Sequence, residues 1–180
     1  MNLTRNDAAN GSKIVLVGFM GTGKSTVSRL LADQLGWQRV DVDEEIEQLQ
    51  GESVRELFAS KGEAEFRRIE SAALAGILAA PEQAVIATGG GAVLREDNRE
   101  RMLQSGFVVA LTCDSEQIMT RVQADQSRPL LQGDPKGNVI RLLQERKDAY
   151  QFAHYTVDTT LLSAEEVVHA IRREHEKLVE

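Results

Sequence analysis

The stretch KIVLVGFMGTGKST, residues 13–26, decides the fold. Its first six residues are an almost unbroken apolar run ending in glycine, which suits a strand buried on both faces of a parallel sheet. Gly18, four further residues and then Gly23-Lys24-Ser25 match the pattern G-x-x-x-x-G-K-[ST], with a helical pattern behind it. Glycines let backbone N–H groups converge on phosphate oxygens without Cβ clashes, and the helix that follows adds a favourable dipole. Lys24 is placed to neutralise β- and γ-phosphates, and Ser25 to ligate Mg²⁺. The strand–loop–helix context selects nucleotide binding over a solvated glycine turn.

Working outward, AVIA (84–87) and FVVAL (107–111) are further buried-strand runs, with RVDV (39–42) and YTVDT (155–159) weaker ones. Helical spacing joins Phe66, Ile69, Ala73, Leu74 and Ile77 in one stripe, and Val167, Val168, Ile171 and Leu178 in another. Ser53 with Glu56, and Ser163 with Glu166, have the spacing of capping boxes. Strands alternating with helices predict an α/β layered domain with a mainly parallel sheet, whose ligands bind at the carboxyl ends of the strands.

The rest of the composition narrows the class. The chain has 180 residues, the size of one ordinary domain. A net charge of −7 argues against broad nucleic-acid or anionic-membrane binding, so an anionic ligand must be held by a few local cations. No apolar run is long enough to span a membrane. The single cysteine, Cys113, leaves no internal disulfide and suits a reducing cytoplasm. The polar residues 1–12 read as a flexible tail ahead of one domain over 13–180.

Behind each strand lies a candidate acceptor element. Asp41 and Asp43 alternate at the end of the second strand, which places both carboxylates on one side, either as a solvated strand end or helix N-cap or as the oxygen anions that a metal and a substrate hydroxyl both want. Glu63, Arg67 and Glu70 share a helix face, either as a surface ladder or as carboxylates bracing an arginine against an anion. Thr88 is followed by Gly89, Gly90 and Gly91, where close backbone approach to a ligand needs glycine. Arg146 interrupts the stripe of Val139, Leu142, Leu143 and Tyr150; it either snorkels to water or turns inward to an anion. Residues 123–137 lack periodicity and read as a lid carrying Arg128. The histidines, His154, His169 and His175, have no metal-ligand spacing and read as surface or packing residues.

Taken in order, GFMGTGKST, DVD, GEAEFRRIE, GGG, RPLL and RKDAY resemble the shikimate kinase family over residues 13–178. The resemblance implies a three-layer α/β/α P-loop kinase fold with a five-stranded parallel sheet in the order 2-3-1-4-5. It further implies an acceptor-binding subdomain near residues 41–70 and a lid near 123–137. The implied activity is transfer of the γ-phosphate of ATP to the 3-hydroxyl of shikimate, a step towards chorismate and the aromatic amino acids, by a cytoplasmic monomer. In that scheme Gly21, Thr22, Gly23, Lys24, Ser25 and Thr26 hold the ATP phosphates, and Arg121 flanks the adenine. Ser25, with Asp41 through water, holds Mg²⁺, and Asp43 holds the shikimate hydroxyl and accepts its proton. Arg67 and Arg146 grip the shikimate carboxylate beside Gly89, Gly90 and Gly91, and Arg128 closes onto the phosphates; Lys24, Asp43 and Arg128 are the catalytic set. Two departures stand out: Ala149 where the family often has leucine, and TLLSAEE (160–166) where it often has basic or asparagine-proline residues near the adenine. Two alternatives stay open, a P-loop kinase for another small anion such as gluconate or a nucleotide, and a nucleotide-binding module without transfer activity.

Overall fold

The computed structural model describes residues 12–123 and 133–180. Arg128, most of the expected lid and all of the expected tail but Ser12 lie outside the described residues.

Five parallel strands form one sheet in the order β2-β3-β1-β4-β5. They are β1 (Lys13–Gly18), β2 (Gln38–Asp41), β3 (Ala84–Ala87), β4 (Phe107–Thr112) and β5 (Tyr155–Asp158). Among the described residues seven helices connect or follow them: α1 (Lys24–Leu35), α2 (Val42–Gln50), α3 (Val54–Ala79), α4 (Glu96–Ser105), α5 (Ser115–Gln123), α6 (Pro135–Glu145) and α7 (Ala164–Val179). A 3₁₀ turn, Ala92–Leu94, precedes α4.

The two-residue period of the strands divides the core. Val15 and Val17 of β1, with Val108 and Ala110 of β4, face a layer built from α2, α3 and α4. Ile14 and Leu16, with Phe107, Val109 and Leu111, face α1 and α7. Both faces are apolar because both are covered, and this is why the strands lack polar alternation. The result is the three-layer α/β/α arrangement with the 2-3-1-4-5 order. A smaller cluster of Phe19, Met20, Ile118, Val122, Val139 and Leu142 joins α5 and α6 to the loop after β1.

Several boundaries differ from the expectation. The second strand ends at Asp41, and helix α2 begins at Val42. Asp41 caps that helix, its Oδ1 accepting the backbone N–H groups of Asp43 and Glu44 at 3.0 and 3.3 Å. Strand alternation therefore does not relate Asp41 to Asp43; a strand end and a helix first turn do. The helix carrying the Phe66 stripe extends back through the Ser53 capping box, bending at Gly62 with φ of 80°. Both capping boxes form. Leu178 is exposed, and His175 takes the buried place in the α7 stripe. Helix α6 stops at Glu145, so Arg146 terminates it. Residues 135–137 are already helical and Gln123 still belongs to α5, which trims both ends of the segment read as a lid.

Candidate active site

Strand register brings Gly18, Asp41, Thr88, Thr112 and Asp158 to one edge of the sheet. The loop after β3 is anchored there, because the Thr88 N–H and hydroxyl both donate to the Leu16 carbonyl at 3.1 and 2.9 Å. Three adjoining cavities line this edge.

The central cavity lies over the loop after β1, lined by Gly21, Gly23, Lys24, Ser25, Thr26, Asp41, Asp43, Thr88, Gly89 and Arg121. Gly23 starts α1 in a left-handed conformation, φ 96°, that a side chain would strain. The Lys24 ammonium is buried and donates to the carbonyls of Gly18 and Phe19 at 2.6 and 2.9 Å. Ser25 Oγ donates to Asp41 Oδ2 at 3.1 Å. Arg39 reaches the same oxygen at 3.4 Å and spans to Glu44 at 3.0 Å. A hydroxyl and a carboxylate side by side are the hard oxygen donors that Mg²⁺ takes alongside phosphate oxygens.

On one side the cavity continues between Arg121, Thr22, Thr26, Thr159, Leu162, Ala164 and Val167. Arg121 donates to the Gly21 carbonyl at 2.9 Å, which ties α5 to the phosphate loop. The unusual TLLSAEE segment thus contributes an apolar shelf, Leu162 and Ala164, to this subsite.

On the other side lies an open cleft of about 440 Å³, lined by Met20, Asp43, Val54, Phe58, Phe66, Arg67, Glu70, Gly89, Gly90, Gly91 and Arg146. Arg67 donates to Glu70 at 2.8 Å and meets Glu63 at 3.6 Å. Its guanidinium also lies over the rings of Phe58 and Phe66, at 5.8 and 5.4 Å. Arg67 is thus braced by two carboxylates and two rings in a cleft wall and belongs to no surface ladder. Arg146 is 3% exposed and stacks on Phe19 at 5.9 Å, so it turns inward and does not snorkel. Its Nη1, like Arg67 Nε, is buried with no protein acceptor among the described residues. Buried donors left so cost about 1–3 kcal/mol each, which an anion in the cleft would offset.

Glu70 is 1% exposed. Burial pushes its carboxyl above the ordinary range, with the charges of Arg67 and Arg146 opposing. Gly91 passes so close to the Arg67 guanidinium that a Cβ there would displace it from its place in the cleft. A Cβ on Gly89 would meet Glu70 Oε2 at 3.0 Å and Asp43 Oδ1 at 3.1 Å.

Comparison with known proteins places this arrangement. The family model described as "Shikimate kinase" matches residues 20–176. The chain belongs to the shikimate kinase family. A shikimate kinase of Thermodesulfovibrio yellowstonii is 42% identical over 166 residues, covering 92% of this chain and 95% of that one. One from Moorella thermoacetica is 45% identical over 159 residues, covering 88% and 91%. Among solved structures, the shikimate kinase from Acinetobacter baumannii in complex with shikimate superposes with a TM-score of 0.89 at 37% identity, covering 94% of this chain and 95% of that one.

Of the residues that family resemblance pointed to, Gly21, Gly23, Lys24, Ser25, Thr26, Asp41, Asp43 and Arg121 share the central cavity. Thr22 lies in the cavity beside it, and Arg67, Gly89, Gly90, Gly91 and Arg146 line the cleft with Asp43. Met20, Val54 and Phe58 also line the cleft, and sequence reasoning missed them. Phe66 was legible only as a member of the α3 core stripe, because periodicity does not separate a core face from a cavity wall. The histidines read as packing groups: His154 Nδ1 accepts the Val108 N–H at 3.0 Å, and His175 packs edge-on to Trp37.

Proposed function

We infer that this shikimate kinase family member transfers the γ-phosphoryl group of ATP to the 3-hydroxyl of shikimate, giving shikimate 3-phosphate and ADP on the route to chorismate. One observation carries the reading. Asp43 and Gly89 line both the phosphate-loop cavity and the two-arginine cleft, so a carboxylate stands where a hydroxyl in one would meet a phosphoryl group in the other.

Shikimate is a small carboxylate bearing hydroxyls. Its carboxylate would satisfy the orphaned donors of Arg67 and Arg146, and its ring would lie along Gly89–Gly91 with the reacting hydroxyl towards Asp43. That hydroxyl oxygen forms the new bond to phosphorus as the bond from phosphorus to the β–γ bridging oxygen breaks, and Asp43 takes the hydroxyl proton. Lys24 and the loop N–H groups hold charge on the phosphate oxygens, so catalysis rests on positioning and neutralisation. Ser25 and, through water, Asp41 would hold Mg²⁺, whose chemistry when bound is to neutralise the β- and γ-phosphate oxygens. Arg121 and the Leu162 shelf would enclose the adenine. The resemblance to the family is what points to a monomer. The single cysteine supports a reducing cytoplasm. Among the described residues no helix is long and apolar enough to cross a membrane.

A coupled ADP-release assay with Mg·ATP against shikimate, quinate and gluconate tests the reading. Shikimate is expected to be the preferred acceptor. Turnover of quinate or gluconate without turnover of shikimate overturns it, and calorimetric ATP binding with no turnover on any acceptor favours a nucleotide-binding module.

The cleft makes a second test specific. Charge-assisted hydrogen bonds contribute roughly 1.5–3 kcal/mol, so Arg67→Ala and Arg146→Ala are each expected to weaken shikimate binding about 10- to 100-fold while ATP binding changes little. Titration calorimetry with each ligand checks this. Unaltered shikimate affinity in both variants would mean that the carboxylate is held elsewhere.

A further inference from the structure

Tyr150 lies four residues beyond Arg146, in the run of turns that follows α6, and it does not line the acceptor cleft. Its hydroxyl nevertheless reaches the glycine turn of that cleft. It donates to the Gly90 carbonyl at 2.7 Å, across 60 residues of sequence, and Gly90 in turn lies beside the Arg146 guanidinium, whose Nη1 is 3.5 Å from where a Cβ on that glycine would stand. Burial raises the phenol above its ordinary range, with the charges of Arg146 and Arg67 opposing, so the group stays a neutral hydroxyl able to donate.

The glycine turn shows why this link matters. The Gly89 carbonyl accepts the Ala92 N–H at 3.2 Å, and the Gly91 carbonyl accepts the Leu94 N–H at 3.1 Å. Local turns therefore fix those two peptides. The Gly90 carbonyl is fixed by the tyrosine. Because the peptide unit is planar and trans, holding that carbonyl also sets the direction of the Gly91 N–H. Glycine has the widest backbone freedom of any residue, so three in succession need such a tether to keep one shape. Arg146 has the parallel difficulty. It stands just past the end of a helix and stacks on the Phe19 ring.

We propose that Tyr150 is a positioning residue for the acceptor, its hydroxyl fixing the Gly89–Gly91 turn beside which the Arg146 guanidinium lies, without touching the substrate. The proposal rests on the reading of the cleft as the shikimate site. A wild-type protein that fails to bind shikimate overturns that reading, whereas the variants below address the tyrosine alone.

Tyr150→Phe removes the hydroxyl and keeps the ring packed. Loss of the tether to the Gly90 carbonyl predicts shikimate binding about tenfold weaker, with ATP binding unchanged. The distinguishing measurement repeats the titration with the methyl ester of shikimate, which lacks the full negative charge. Wild-type protein is expected to prefer the acid strongly, and the variant is expected to lose most of that preference. Equal weakening towards acid and ester would show that the tyrosine only shapes the cavity, and unchanged acid binding would show that it does nothing there; either result overturns the proposal. A measurement with Tyr150 retained covers the case of a variant that does not fold. With tyrosines replaced by 3-fluorotyrosine and Tyr155→Phe used for assignment, the Tyr150 ¹⁹F resonance is expected to shift on shikimate addition, and a resonance unmoved at saturation overturns the idea equally.

Discussion

Lys24→Ala is expected to lower kcat by about 10²–10³-fold, the range found when one preorganised donor to a developing negative charge is removed. The structure shows why the effect falls on turnover. The ammonium is held inside the loop by the carbonyls of Gly18 and Phe19, at the floor of the cavity that also contains Ser25 and Asp43. Phosphate oxygens entering that cavity meet a buried cation with little bulk water to screen it, so its charge acts at low effective dielectric. The acceptor cleft does not include Lys24, and shikimate affinity is therefore expected to hold. Steady-state kinetics with calorimetric titration of shikimate make the check. Thermal melting is needed beside them, because the same ammonium braces the loop and its loss lowers stability as well. An unchanged kcat in a folded variant would remove lysine from the chemistry.

The strands most legible in the sequence were those covered on both faces. Val15, Val17, Ile14 and Leu16 are all buried, so β1 read as an apolar run and its C-terminal glycine as a turn. Strand β2 is a sheet edge of four residues that passes directly into a helix, and no periodicity separates Asp41 as cap from Asp43 in the first turn. A signal did exist, since Asp41 stands three residues before Glu44, the spacing of a helix start. Helix α4 escaped notice because its buried side chains are Asn98 and Met102 alone, too few for a stripe. Arg146 was conspicuous as a charge in an apolar pattern, and the pattern itself ran past the true helix end. The tyrosine–glycine link left no trace in the sequence, because Tyr150 fits the same apolar stripe and its partner is a backbone carbonyl 60 positions away. Local chemistry and periodicity are legible in one sequence. Tertiary hydrogen bonds to backbone are not.

Asp43→Asn is expected to lower kcat by about 10²–10⁴-fold, the contribution typical of a positioned general base. The carboxylate lies in the first turn of α2, where the Asp41 cap and backbone N–H groups fix the helix start. On its other side Gly89 leaves room only for a hydrogen, since a Cβ there would stand 3.1 Å from Oδ1. These contacts hold the group at the boundary of the two cavities, within reach of a hydroxyl in one and a phosphoryl group in the other. Asparagine keeps the size and can still hydrogen-bond a hydroxyl, but it cannot take the proton. Losing one negative charge at a helix N-terminus costs about 0.3–1 kcal/mol, a small change in melting temperature for a chain of this length. Stability and catalysis are thus separable in this variant. If Asp43 accepts the proton, kcat falls while shikimate affinity stays close to the wild-type value. If the carboxylate only binds the hydroxyl, KM rises and kcat at saturation survives, and that outcome would strip Asp43 of its role as base.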